Sequence, residues 1–193
     1  QKLNPEVRSY LAWRDGADPG PCACTGEIVQ EKRSDVLQLC DADSDMIPDA
    51  ECLPLERALY EALKALCLRS ARDFRRLYAS IPEPDRVLRP VRESFYGPVP
   101  ATAREMYEHT KNVYRYYFGE IGVEVSNNPE IDVCRAEGFR RLEAQEGFLT
   151  APPCVGSYEE VWSLAKVLRR FLWHDRIHAK AMWRHARAVY GPA

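Results

Sequence analysis

The sequence predicts an all-α protein: a four-helix bundle preceded by a poorly patterned N-terminal arm. Apolar residues recur at alternating four- and three-residue steps over long stretches, as on helices that bury one face. The 14 prolines cluster outside those stretches, in positions that end helices rather than interrupt them. No long segment alternates apolar and polar residues in the manner of a half-buried strand.

A chain of 193 residues is long enough for one well-buried domain with an appendage and short for two full domains. The net charge of -2 and pI near 6.1 give no electrostatic case for nucleic acid or an anionic membrane as partner. Seven cysteines, an odd number at irregular spacing, do not form a disulfide framework. No apolar run approaches the ~20 residues of a membrane span, and no signal-peptide pattern opens the sequence. A reducing cytoplasm is therefore the expected compartment. Gln1 stands where a start methionine would, which fits a trimmed start or a longer parent chain.

Residues 1–52 read as an irregular arm or the remnant of another module. "NPEVRSYLAWRDG" suits a short helix ended by Gly16. "ADPGPCACTGE" is turn material, since proline and glycine there forbid regular structure. "EIVQEKRSDVLQLCDADSDM" is expected to supply a short strand or two before an acidic loop. The run "DADSD" lacks the glycine and glutamate of a calcium loop.

The bundle is expected over 53–193. Its first helix, near 54–81, steps through Leu55, Leu59, Ala62, Leu66, Ser70, Asp73 and Leu77, widened by Leu63 and Phe74, and is ended by Pro82 and Pro84. The second, near 101–119, steps through Thr102, Met106, His109, Val113 and Tyr116 and closes at Gly119 and Gly122. A shorter third segment, near 131–146, has Val133, Phe139 and Leu142 as core residues. The fourth, near 157–190, takes Ser157 as N-cap with Glu160 at the capping-box spacing. Leu59, Leu66, Val113, Leu164, Val167 and Phe171 are expected inside.

On the last helix the stepped set is Leu164, Val167, Phe171, His174, His178, Ala181 and His185. At about 100° per residue, His174 and His178 lie one turn apart on the apolar stripe. His109 holds the equivalent inward position on the second helix, so all four histidines fall on faces expected to be buried. A buried neutral imidazole must place both ring nitrogens. One metal ion can partner three converging rings: a pair at i and i+4 with a third from a facing helix, leaving coordination positions open. His185, about 10 Å further along the axis than His178, is left out of the set. The alternative is that these histidines hydrogen-bond carboxylates or carbonyls. Asp175 and Arg176 follow His174, so the H-E-x-x-H of a metalloprotease is excluded. The paired E-x-x-H segments of the di-iron bundles are also missing.

A histidine on the second helix ("YEHTKNVYRYY") followed by H-x-x-x-H on the last ("WHDRIHAKAMWRH") resembles the DinB/YfiT-like superfamily. The resemblance covers about Leu53 to Gly191 and does not extend to residues 1–50. It implies a four-helix bundle holding one divalent metal through His109, His174 and His178. It also implies kinship with thiol S-transferases and an isomerase that use mycothiol or bacillithiol as low-molecular-weight thiol co-substrate.

Other candidates stand beside their plainer readings. Arg170, one turn before His174, suits an anionic group of a substrate or cofactor, or belongs to a solvated "RR" edge. Cys22 and Cys24 form a C-x-C without a second pair, and Cys67 and Cys134 suit small core positions. Tyr116 and Tyr117 line a pocket or simply pack. Asp175 lies about 100° off the histidine stripe and is a neighbouring or helix-contact residue.

The functional expectation is a metal-dependent enzyme of the thiol S-transferase type acting on a small molecule, with homodimerisation left open. An open divalent ion lowers the pKa of a bound thiol or water. The alternatives are a metal-dependent hydrolase and a non-enzymatic stress or interaction protein braced by the ion. Three imidazoles suit zinc, nickel and iron alike.

Overall fold

Glycine and proline positions set most element boundaries in the computed structural model, which describes residues 3–20, 26–33, 46–87, 90–94, 97–126 and 130–191. The chain divides into two compact units, Gln1–Arg33 and Ser34–Ala193. In the first, α1 (Leu3–Asp15) ends where Gly16 takes a φ of 74°, a conformation that suits a residue without Cβ. Arg8 then pairs with Asp18 beyond the helix end. Residues 26–33 form no strand. The remainder of the expected strand region, the acidic run 41–45 and the C-x-C pair lie outside the described residues.

The second unit is built from α2 (Arg57–Ala79), α3 (Ala103–Glu120), α4 (Ile131–Glu143) and α5 (Leu164–Tyr190). Two antiparallel two-residue ladders accompany them: β1 (Glu93–Ser94) with β2 (Gly97–Pro98), and β3 (Cys154–Val155) with β4 (Val161–Trp162). Helix α2 packs on both α4 and α5, and α3 packs on α5. The unit begins before the expected boundary at 52/53. A short 3₁₀ turn, Asp49–Cys52, belongs to it, because Glu51 receives two hydrogen bonds from Arg169 of α5.

Thr102 caps α3 with a full capping box: its hydroxyl accepts from the Glu105 N–H, and Glu105 accepts from the Thr102 N–H. This satisfies donors that a helix start otherwise leaves open. Helix α5 starts at Leu164, not near 157. Ser163 is its N-cap and accepts from the Lys166 N–H at 3.1 Å. The Ser157–Glu160 match is coincidental, since Tyr158 and Glu159 there take φ of 57° and 60°, incompatible with entering a helix.

The buried faces also turn from the expected phase. On α2 the buried set is Tyr60, Cys67, Ser70, Ala71 and Phe74, while Leu59 is 50% exposed and Leu66 is half-buried. The expected stripe had to accept Asp73, whereas the observed one stays apolar from Tyr60 to Phe74 except at Ser70. On α3 the core side is Ala103, Met106, Tyr107, Thr110, Tyr114, Tyr117 and Phe118. His109, Val113 and Tyr116 are therefore half-buried at its margin. On α4, Val133 is 48% exposed, and Ile131, Cys134 and Arg135 point inward beside Phe139 and Leu142.

The core has two apolar clusters. One gathers Tyr60, Tyr117, Phe118, Phe139, Trp162 and Phe171 among others. The other gathers Phe74, Ala103, Met106, Tyr107, Ile131 and Met182. Along each helix, polar residues stand between members of the two: Ser70 on α2, His109 and Thr110 on α3, Arg135 on α4, and His174, Asp175 and His178 on α5. Polar groups held between apolar clusters destabilise the fold unless each finds a partner.

Candidate metal centre

Two helices carry the centre. On α5, His174 and His178 stand one turn apart, with ring centroids separated by 4.5 Å. From α3, His109 brings its ring centroid to 5.0 Å from that of His174 and 4.9 Å from that of His178. One nitrogen from each ring lies within 4.8 Å of the other two, close enough to hold a metal ion. The Nε2 atoms of His109 and His174 are 3.2 Å apart. Two nitrogens bound to one tetrahedral ion at ~2.0–2.1 Å sit about 3.3 Å apart, so this pair already has the spacing of co-ligands.

The three sequence-predicted ligands therefore converge, and His185 does not join them. Only His174 is buried; His109 and His178 are half-buried, and His185 is half-buried as well. The rotated phase of α3 explains this, because it puts His109 at the rim of the buried face. The centre thus reaches the surface on one side.

Electrostatics favour neutral rings at His174 and His109. Burial holds the His174 imidazole well below its ordinary titration range, and His178, His109, Arg170 and Arg135 add positive-charge repulsion in that order. Burial alone lowers His109. A neutral imidazole offers a lone pair, the form that binds metal. Converging lone pairs repel unless a proton or cation lies between them, and one cation can serve all three rings. The donor set therefore fits a borderline divalent ion such as zinc.

Around His174 the packing is aromatic and cationic. Tyr117 meets its ring edge-on at 6.1 Å, and Trp173 lies tilted at 6.1 Å. Arg170 is buried, its guanidinium stacked 5.1 Å from the Tyr117 ring centroid and 5.0 Å from that of Trp173. It is not a solvated edge. Its "RR" neighbour Arg169 instead pairs with Glu51.

Asp175 points away from the triad into the core. Its carboxylate accepts from Arg135 Nη2 at 3.0 Å and Nη1 at 3.2 Å, and both side chains are sealed from solvent. Arg135 also reaches the Cys67 carbonyl at 3.4 Å and lies 3.9 Å over the Phe171 ring. Arg135 was missed in the sequence. The available signal was a charge on the α4 stripe between Ile131 and Phe139, facing an unexplained aspartate on α5. Cys67 and Cys134 are buried core residues, and burial pushes the Cys67 thiol up to about 12, so it stays protonated. Among the described residues no cysteine or carboxylate joins the three histidines as a ligand. None of their helices is long and apolar enough to cross a membrane.

Comparison with protein-family models, curated proteins and solved structures gives no match to this chain.

Proposed function

We propose that this chain is a DinB-like four-helix-bundle protein that holds one divalent ion through His109, His174 and His178 and catalyses thiol S-transfer to a small molecule. The observation that carries the reading is the convergence of three imidazoles from α3 and α5 within 4.8 Å, at the margin of a core otherwise closed by apolar clusters. The order of helices, a histidine on α3 and a histidine pair on α5, agrees with the superfamily's arrangement.

When bound, zinc, nickel or iron would supply a Lewis-acid centre that lowers the pKa of a coordinated thiol. The chain's own residues do the rest. The histidines would hold the ion from two helices whose relative phase is fixed by packing. Tyr117 and Trp173 exclude water from one flank and hold the Arg170 guanidinium between them. A carboxylate of the thiol would meet that guanidinium, which suits planar anions. In the transfer, sulfur bonds to the electrophilic carbon, the leaving group departs with its electron pair, and the thiol proton passes to solvent. Hydrolysis by water at the same centre is the alternative enzyme reading.

A non-enzymatic brace is favoured by one observation, that the triad ties α3 to α5. Assaying tag-free, metal-loaded protein with mycothiol, bacillithiol and glutathione against an electrophilic halide separates the readings. Conjugation that disappears in His178→Ala, with helix content kept, supports the transferase. Full conjugation by metal-stripped His178→Ala protein rules it out, and a large fall in melting temperature with no activity to lose supports the brace.

A further inference from the structure

The β3–β4 hairpin stands beside the last two turns of α3, and a groove of about 590 Å³ separates them. That size lies within the range of small-ligand sites. Its hairpin wall is fixed in an unusual way. Tyr158 and Glu159 both take positive φ, a costly conformation for residues bearing a Cβ, which persists only where surroundings over-determine it.

Those surroundings are specific. The Ser157 N–H donates to Glu120 Oε2 at 2.6 Å, and Gly156 approaches so closely that a Cβ there would overlap the Glu120 carboxylate. At the hairpin's base, fully buried Lys166 donates to Glu160 and to the Val161 carbonyl at 2.8 Å. The hairpin is therefore held against α3 as a rigid wall rather than draped over it.

The α3 wall supplies the chemistry. Gly119 lies in the last turn of α3, and a Cβ on it would meet nothing within 4 Å. The space above it is the groove. Arg115 is exposed and Tyr116 half-buried, with the Tyr116 ring packed edge-on against Trp162 at 5.7 Å. Glu120, which anchors Ser157 through one carboxylate oxygen, has a second one. Arg115 and Glu120 are five residues apart, which is about 7.5 Å along the axis. Both line the groove, which thus carries a cation and an anion.

The geometry points to a site for a short zwitterionic peptide. Its C-terminal carboxylate meets Arg115 and its N-terminal ammonium meets Glu120. An apolar side chain lies on Tyr116 above Gly119. This assignment stands apart from the metal reading, although Tyr116 lies two turns along α3 from His109 on nearly the same face.

The test is an amide-resolved NMR titration of the full chain with glycyl-phenylalanine, its N-acetyl form and its C-terminal amide. The expected result is saturable shifts at the Gly119, Gly156 and Ser157 amides, with each blocked peptide about tenfold weaker, the loss of one charge-assisted contact. Arg115→Gln should erase the preference for a free carboxylate, and Glu120→Gln the preference for a free amine while keeping an oxygen for Ser157. Gly119→Leu should abolish binding with helix content retained. His178→Ala should leave it unchanged. Shifts that never saturate, equal binding of the three peptides, or Arg115→Gln without effect would overturn the site. Binding lost in His178→Ala would also overturn it, by placing the peptide at the histidines. Failure of the metal reading shows separately, as no ion retained by the wild-type chain.

Discussion

Asp175 joins Arg135 through two hydrogen bonds sealed from solvent, one residue beyond the buried His174. The pair fixes the rotation of α5 against α4. Because Arg135 also donates to the Cys67 carbonyl, it ties in α2 as well. The phase of α5 in turn decides where His174 and His178 point.

Removing one partner leaves a buried charge alone, at a cost of roughly 3–5 kcal/mol. Asp175→Ala should therefore lower the melting temperature by about 10 °C. Replacing both residues, Arg135→Met with Asp175→Leu, should recover most of that loss. Thermal denaturation of the two variants checks this, and equal destabilisation by the single and double changes would argue against it.

Loss of one ligand should be felt in metal retention rather than in folding. His178 is half-buried at the margin of the centre, so His178→Ala should leave helix content nearly unchanged. Metal affinity should fall by at least about 100-fold, beyond what disturbing a ligand's supporting contact costs. Competition against a chromophoric chelator measures the drop.

The pH dependence of the metal-free protein follows from the lowered imidazoles. His174 and His109 titrate below their ordinary range in the folded chain and near about 6.5 when unfolded. Below about 6.5 the unfolded chain therefore binds more protons, and stability falls with pH from there down to the folded-state values. Above about 6.5 these groups contribute no slope. Melting temperatures at about pH 7.5 and about pH 5.5 should differ in wild type, and the difference should shrink in His174→Phe.

Close packing of α3 on α4 should show at Gly138, where a Cβ would overlap the Phe118 ring. Gly138→Ala should cost roughly 1–3 kcal/mol through overpacking. Gly119→Ala, with open space above it, should instead stabilise by up to about 1 kcal/mol. Denaturant titration of the pair separates crowding from helix propensity.

The histidines were legible in the sequence because spacing alone places His174 and His178 on one helix edge, and only their own stripe had to be followed. The α2 phase was not. Leu59 and Leu66 compete there with Tyr60 and Cys67, and the choice depends on what α4 and α5 present. The start of α5 was missed because Ser157 has the capping-box spacing to Glu160, whereas Ser163, the N-cap used, has Lys166 at that spacing, and only the β3–β4 pairing decides between them. Arg135 was missed because a buried charge is legible only together with its partner, forty residues away on α5.

The most direct test of the account is X-ray absorption spectroscopy, with metal analysis, on tag-free protein. The expected result is one divalent ion per chain with three imidazole nitrogens at ~2.0–2.2 Å, and loss of that ion when His109, His174 and His178 are all replaced by alanine. An ion retained equally by the triple variant, or a wild-type chain that binds none when zinc, nickel and iron are offered, would contradict it.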